Sequence, residues 1–157
     1  MHKYLTVDVK TCTNCRVCQV WCSFTKIGAV GPAYARIRPY SLDSEGITVP
    51  NVCNHCDEAF CMHICPTKAV YRSPESGAVL INYDVCIGCR SCIAACPFGA
   101  VFLDPDGKVI KCDLCDGLPE PVCQVRCPKG AISWTKPELV AAKKRKEHAR
   151  KLAGSVT

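Results

Sequence analysis

Residues 86–97 read CIGCRSCIAACP, with thiols at Cys86, Cys89, Cys92 and Cys96. This C-x2-C-x2-C-x3-C-P spacing wraps a short loop around three corners of an iron–sulfur cube and passes the fourth thiolate to a neighbouring cluster. Residues 12–22 repeat the spacing at Cys12, Cys15, Cys18 and Cys22. Two further groups hold the remaining cysteines: Cys53, Cys56, Cys61, Cys65 and Cys112, Cys115, Cys123, Cys127. All 16 cysteines of the 157-residue chain therefore fall in four groups of four, which implies four metal centres. Proline follows the last cysteine at Pro66, Pro97 and Pro128, turning the chain away without leaving a backbone donor, whereas Ser23 follows Cys22.

Zinc is the competing reading, since C-x2-C pairs also make all-thiolate tetrahedral sites. Zinc sites use two separated pairs rather than four packed cysteines closed by Cys-Pro, so the spacing favours iron–sulfur. A disulfide framework fits neither the spacing nor the lack of an evident secretory leader in MHKYLTVDVKTC. His55 and His63 raise a Rieske-type site, but their group already has four cysteines, which leaves them supporting or surface roles. Trp21 and Trp134 read as packing residues. Arg16, Arg90, Lys111 and Arg126 stand beside ligands, where they either soften cluster charge or face solvent.

Outward from the cysteines, one grammar recurs: cysteine loop, Cys-Pro, short strand, turn, short strand, next loop. AVYRS and AVLINYD form one hairpin between groups, and GAVFL and KVIK another. YLTVDV before Cys12 and GAISW after Cys127 are left without hairpin partners, so pairing them closes an outer unit. Short helices of one or two turns suit RVCQVWC and RSCIAAC; residues 23–52 read as loops with a strand pair, ARIRPY and GITVP. From Pro137 to a stop at Gly154, strong helix formers predict a helix.

Gly 10 and Pro 11 cut the chain into short segments, and 48% hydrophobic residues overstates the core because cysteine is counted among them. Metal must supply much of the cohesion, so folding and cluster insertion are expected to be coupled. No apolar run approaches the roughly 18 to 20 residues of a membrane span. A soluble protein of a reducing compartment, the cytoplasm, is expected, or one exported already folded with a signal-bearing partner. The formal charge of +6 would be offset by about −2 per cluster with its thiolates, so it reads as internal compensation rather than a nucleic-acid footprint. No carboxylate pair, activated nucleophile or phosphate loop stands out, and every thiol is used as a ligand. Electron relay, not catalysis, is what remains.

CNHCDEAFCMHICPTKAVYR, CIGCRSCIAACPFGAV and KCDLC…PVCQVRCPKGAI resemble the four-cluster ferredoxin-type subunits of molybdenum or tungsten pterin oxidoreductases, such as the electron-transfer subunit of dimethyl sulfoxide reductase. The resemblance covers about residues 4–135; the short gap between Cys115 and Cys123 is closer to compact partners such as small subunits of tungsten aldehyde oxidoreductases, and hydrogenase or formate dehydrogenase partners are also similar. It implies an α+β fold of two pseudo-symmetric bacterial-type dicluster ferredoxin modules with short strands and helices, plus the basic C-terminal helix. The outer module comprises residues 1–30 with 108–136, the insert 31–52, the inner module 53–107 and the tail 137–157. It further implies four [4Fe-4S] clusters with nested ligands: Cys12, Cys15, Cys18 with Cys127; Cys53, Cys56, Cys61 with Cys96; Cys86, Cys89, Cys92 with Cys65; and Cys112, Cys115, Cys123 with Cys22. A tandem pairing, first group with second and third with fourth, is the alternative.

The implied function is relay of single electrons between a large catalytic subunit and another redox partner, a flavin or membrane subunit among them. Lys143, Lys144, Arg145, Lys146, Arg150 and Lys151 either lie on a solvated tail or dock onto an acidic partner or another copy, head to tail. A free-standing polyferredoxin and an iron–sulfur nucleic-acid-binding protein are the other readings.

Overall fold

The computed structural model describes residues 3–154; the ends of the outer module and of the tail, residues 1–2 and 155–157, lie outside them. Its elements are short, as expected of a chain so often broken by glycine and proline. The strands are β1 (Tyr4–Val7), β2 (Arg38–Leu42), β3 (Ile47–Asn51), β4 (Val70–Arg72), β5 (Val79–Ile81), β6 (Val101–Leu103), β7 (Val109–Lys111) and β8 (Ile132–Thr135). The helices are α1 (Val17–Ile27), α2 (Phe60–His63), α3 (Ser91–Ala94), α4 (Val122–Val125) and α5 (Pro137–Gly154).

Every strand among the described residues belongs to a two-stranded antiparallel sheet. β4 with β5 and β6 with β7 are the hairpins read from the repeat, and β1 pairs with β8, with Leu5 opposite Trp134 and Val7 opposite Ile132. That last pairing joins strands from the two ends of the chain. It holds because Leu5 and Ile132 are both buried in the same cluster of side chains as Cys18, Cys22, Cys112 and Cys123.

The core is small. Its aliphatic members include Ala35, Ala78 and Ala100, and cysteines take positions that larger side chains hold in an ordinary domain. Ile37, Val79, Pro121 and Ser23 are the largest fully buried side chains. A two-stranded ribbon is at best marginally stable by itself, so these ribbons depend on what they pack against.

α1 is longer than the one or two turns expected. Ser23 replaces the proline of the other groups and lets the helix run on past Cys22, to a left-handed cap at Gly28 (φ 70°) whose N–H bonds the Phe24 carbonyl at 2.8 Å. The Ser23 hydroxyl donates to the Val20 carbonyl at 2.8 Å and accepts from the Gly31 N–H at 3.2 Å, fastening the following insert to the helix. The insert forms the expected strand pair, β2 with β3, in which Pro39 faces Pro50.

α5 has no buried residue, and Lys143 Nζ reaches Asp8 of the body at 3.8 Å. No helix among the described residues is long and apolar enough to cross a membrane.

Candidate iron–sulfur sites

In all four groups the third cysteine is the second residue of a helix: Cys18 in α1, Cys61 in α2, Cys92 in α3 and Cys123 in α4. The preceding loop is tight enough to require left-handed backbone at one place in each C-x2-C step, occupied by Asn14 (φ 55°), His55 (φ 48°), Gly88 (φ 67°) and Leu114 (φ 54°). This turn points successive thiols and backbone N–H groups inward. His55 N–H reaches Cys53 Sγ at 3.4 Å, and Leu114 N–H reaches Cys112 Sγ at 3.4 Å.

The Cys-Pro cysteines show a second repeated bond. Ala100 N–H donates to Cys96 Sγ at 3.4 Å and Ala131 N–H to Cys127 Sγ at 3.3 Å, each from four residues ahead. Ala69 holds the same place after Cys65, whose thiol burial would push up but which backbone donors at Val70, Thr67 and Ala69 and the Thr67 hydroxyl bring below its ordinary value. All three alanines are buried, which accounts for alanine where the loops return beneath the sulfur. Cys22, without proline, takes its N–H donor from the insert, Arg36 at 3.2 Å.

The cysteines gather into sets that cross the sequence groups. Cys12, Cys15, Cys18 and Cys127 line one cavity of about 370 Å³, with Pro39 and Pro50 of the insert on its wall. Cys53, Cys56, Cys61 and Cys96 line a second of about 380 Å³, and Cys65, Cys86, Cys89 and Cys92 a third of about 340 Å³. The last four, Cys22, Cys112, Cys115 and Cys123, are all buried. Cys123 lies close enough to Cys115 and Cys22, and Cys112 to Cys123, for each thiolate to disfavour ionisation of the next.

Burial raises several of these thiols, Cys18 to about 11 and Cys112 and Cys123 well above the ordinary thiol value. Such groups ionise only when something replaces the proton, which is what a metal does. Among the described residues no three His, Cys, Asp or Glu side chains converge as one metal ion requires. The sulfurs instead stand as walls around near-equal cavities, with N–H donors aimed at them and apolar residues such as Val79 and Val101 beside them. Soft thiolates, amide donors and a dry surround fit an iron–sulfur cluster.

Of the other residues singled out from the sequence, His63 is a surface residue 3.5 Å from Glu58, whereas His55 is buried with Nδ1 accepting from Val79 N–H at 2.9 Å. Desolvation, with Lys111 nearby, lowers His55 to about 3, so its ring is neutral. Trp21 packs edge-on to Phe24 at 5.8 Å between ring centres and under the Arg126 guanidinium, and Trp134 lies under Lys3. Arg16, Arg90 and Arg126 are exposed, but Lys111 is buried. Sequence reading missed the insert's part in the site. Arg36 and Lys26 clamp Asp113 beside Cys112, the latter at 2.8 Å, and Arg38 lies 3.8 Å over the Phe102 ring. Arginine and proline in a cysteine-free segment carry no spacing signal, so only the folded path reveals them.

Residues 45–137 match the model of the 4Fe-4S dicluster domain. The polyferredoxin-like subunit of aliphatic sulfonate oxidoreductase from Pyrococcus furiosus is 40% identical over 74% of this chain and 68% of its own length. The B subunit of anaerobic dimethyl sulfoxide reductase from Escherichia coli is 34% identical over 82% of this chain and 70% of its own. Among solved structures, the active site complex BamBC of benzoyl coenzyme A reductase with benzoyl-CoA superposes with a TM-score of 0.53 and 28% identity, covering 98% of this chain and 96% of that one. The chain belongs to the 4Fe-4S dicluster domain family. It is an iron–sulfur electron-transfer protein of the kind that serves oxidoreductases, with [4Fe-4S] clusters as cofactors, and not a catalytic subunit. It spans between 53% and 70% of the lengths of the curated relatives it matches.

Proposed function

We propose that this chain relays single electrons through four [4Fe-4S] clusters between a large catalytic subunit of the molybdenum or tungsten pterin class and a second redox partner. The observation that supports it is that twelve cysteines line three cavities, each drawing on two sequence groups, while the remaining four, Cys22, Cys112, Cys115 and Cys123, are all buried. The nested ligand sets follow: Cys12, Cys15, Cys18, Cys127; Cys53, Cys56, Cys61, Cys96; Cys86, Cys89, Cys92, Cys65; and Cys112, Cys115, Cys123, Cys22. Two pseudo-symmetric modules result, an outer one of residues 1–30 with 108–136 and an inner one of 53–107, with 31–52 as the insert.

Electrostatic proximity of the thiols supports an order. Cys61 feels Cys92, Cys112 feels Cys53, and Cys123 feels Cys18. Electrons therefore pass from the cluster of Cys65 and Cys86, through those of Cys53 and Cys112, to that of Cys12, or the reverse. The protein supplies spacing, N–H donors to sulfur and a low-dielectric surround; the potentials follow from these.

The basic residues of α5 are proposed as a docking face for an acidic partner or for a second copy, head to tail, in a reducing compartment. Lys143 is already engaged by Asp8 and by Glu147 at 3.9 Å, which leaves Lys144, Arg145, Lys146, Arg150 and Lys151 to carry that role.

Anoxic co-purification tests the reading. A coloured complex with a pterin-containing large subunit, and about four iron and four acid-labile sulfide per cysteine set in this chain, is expected. A colourless protein that binds zinc without sulfide would overturn it.

A further inference from the structure

Lys111 ends β7 just before Cys112 and is 3% exposed. Its Nζ donates to the Val79 carbonyl and, at 2.7 Å, to the Cys112 carbonyl. Among the described residues it forms no ion pair. The nearest acid in sequence, Asp113, gives its carboxylate to Lys26 and Arg36 instead. Asp116, Tyr71 and Tyr83 line a pocket with Lys111, but among the described residues none of them bonds its ammonium. Buried His55 offers no negative charge: its Nδ1 accepts the Val79 N–H at 2.9 Å, so the neutral ring carries its proton on Nε2. One peptide unit, Val79, thus bears the imidazole at its N–H and the ammonium at its carbonyl.

A buried cation held by carbonyls alone is costly unless negative charge lies close. What does lie close is sulfur. Val79, whose carbonyl takes the ammonium, lines the second cavity with Cys53 and Cys61, and Cys112, whose carbonyl also takes it, belongs to the fully buried set, so Lys111 stands between two cysteine sets rather than beside one. Cys112 in turn feels Cys53 across the same junction.

Resting on the cluster reading above, we propose that Lys111 is the shared counter-ion of the two clusters that face each other where the inner and outer modules meet, and that it raises both their potentials. Taking up one electron makes a cluster more negative by one charge, and a fixed cation nearby favours that reduced form. The cations lining the other two cavities, Arg16 and Lys129 in one and Arg90 in the other, are exposed, so solvent screens them as it does not screen Lys111. The crossing between modules is therefore the place where an electron is most easily held.

The experiment is an EPR-monitored redox titration of anoxic holoprotein, wild type against Lys111→Met and Lys111→Arg. Cys61→Ser and Cys123→Ser holoproteins mark the signals of the two junction clusters. Wild-type iron and sulfide are measured first: failure there removes the cluster reading itself. With the wild type loaded, Lys111→Met lowers the midpoint potentials of the two marked clusters and leaves the other two in place, and Lys111→Arg shifts them less. Should Lys111→Met lose the clusters, retention of clusters and potentials by Lys111→Arg supports a charge role, and loss in both variants overturns it. A loaded Lys111→Met protein with unchanged potentials, or with all four shifted alike, also overturns it.

Discussion

Individual residues in this protein serve sulfur first and packing second. Gly88 has φ 67° and open space where a Cβ would go, and Asn14 holds the same turn in the first loop. Gly88→Asn is therefore expected to leave iron content and melting temperature near wild type. Gly88→Val places a β-branched residue in left-handed backbone, at a cost of about 1–2 kcal/mol or more, and lowers the melting point of the holoprotein. Asp113 is a different case. Burial would raise its carboxyl, but the Arg36 guanidinium and Lys26 ammonium hold it below the usual value. A depressed folded-state pKa contributes stability that is full above the unfolded value of about 3.9 and is lost as pH falls through the folded one. Asp113→Asn should thus destabilise by about 1.5–3 kcal/mol at neutral pH, the worth of hydrogen bonds to a charged group. The gap between wild-type and variant melting points should narrow as the pH drops below about 4; a gap that widens toward acid would reverse the sign assigned here.

The elements divide into those legible from pattern and those decided by packing. The two hairpins, β4–β5 and β6–β7, repeat one motif after Cys-Pro and were readable because each lies within one stretch of chain. Pairing of β1 with β8 was readable only by elimination, because no local signal links residues so far apart. Leu5 is 8% exposed in that pair, so Leu5→Ala is expected to cost about 2–5 kcal/mol. The loss falls on the outer cysteine sets, and iron release monitored by EPR should affect their signals before those of the inner pair. α1 outran its expected length because Ser23 stands where the other groups have proline, so a backbone N–H is present to continue the helix past Cys22. α5 is exposed along most of its length, and the Lys143–Asp8 contact joins it to the body. Cutting the chain after residue 136 should leave iron and sulfide per chain unchanged while reducing the size of the purified complex. An unchanged complex would mean that the basic face is merely solvated.

At the scale of the whole molecule, the metal sites and the core are one thing. Cys18, Cys22, Cys53, Cys112 and Cys123 sit within the buried core, and Cys61, Cys65 and Cys92 pack at its edges, in places that aliphatic side chains would otherwise fill. Removing iron with a chelator under reducing conditions is expected to leave thiols whose burial is no longer compensated, and to abolish the fold. Dispersed amide NMR signals and a cooperative melt in the apoprotein would contradict this. The sequence by itself determined the class of cofactor and the hairpin order and singled out the cysteines proposed as ligands, since thiol spacing and Cys-Pro turns act over a few residues. Which thiols share a cavity, how the insert brings Arg36 to Cys22 and Asp113, and why Lys111 is buried while Arg16, Arg90 and Arg126 are not were decided by tertiary structure. The reason is physical: local spacing sets the direction of each sulfur, but only closure of the chain on itself sets which sulfurs, amides and charges are taken out of water together.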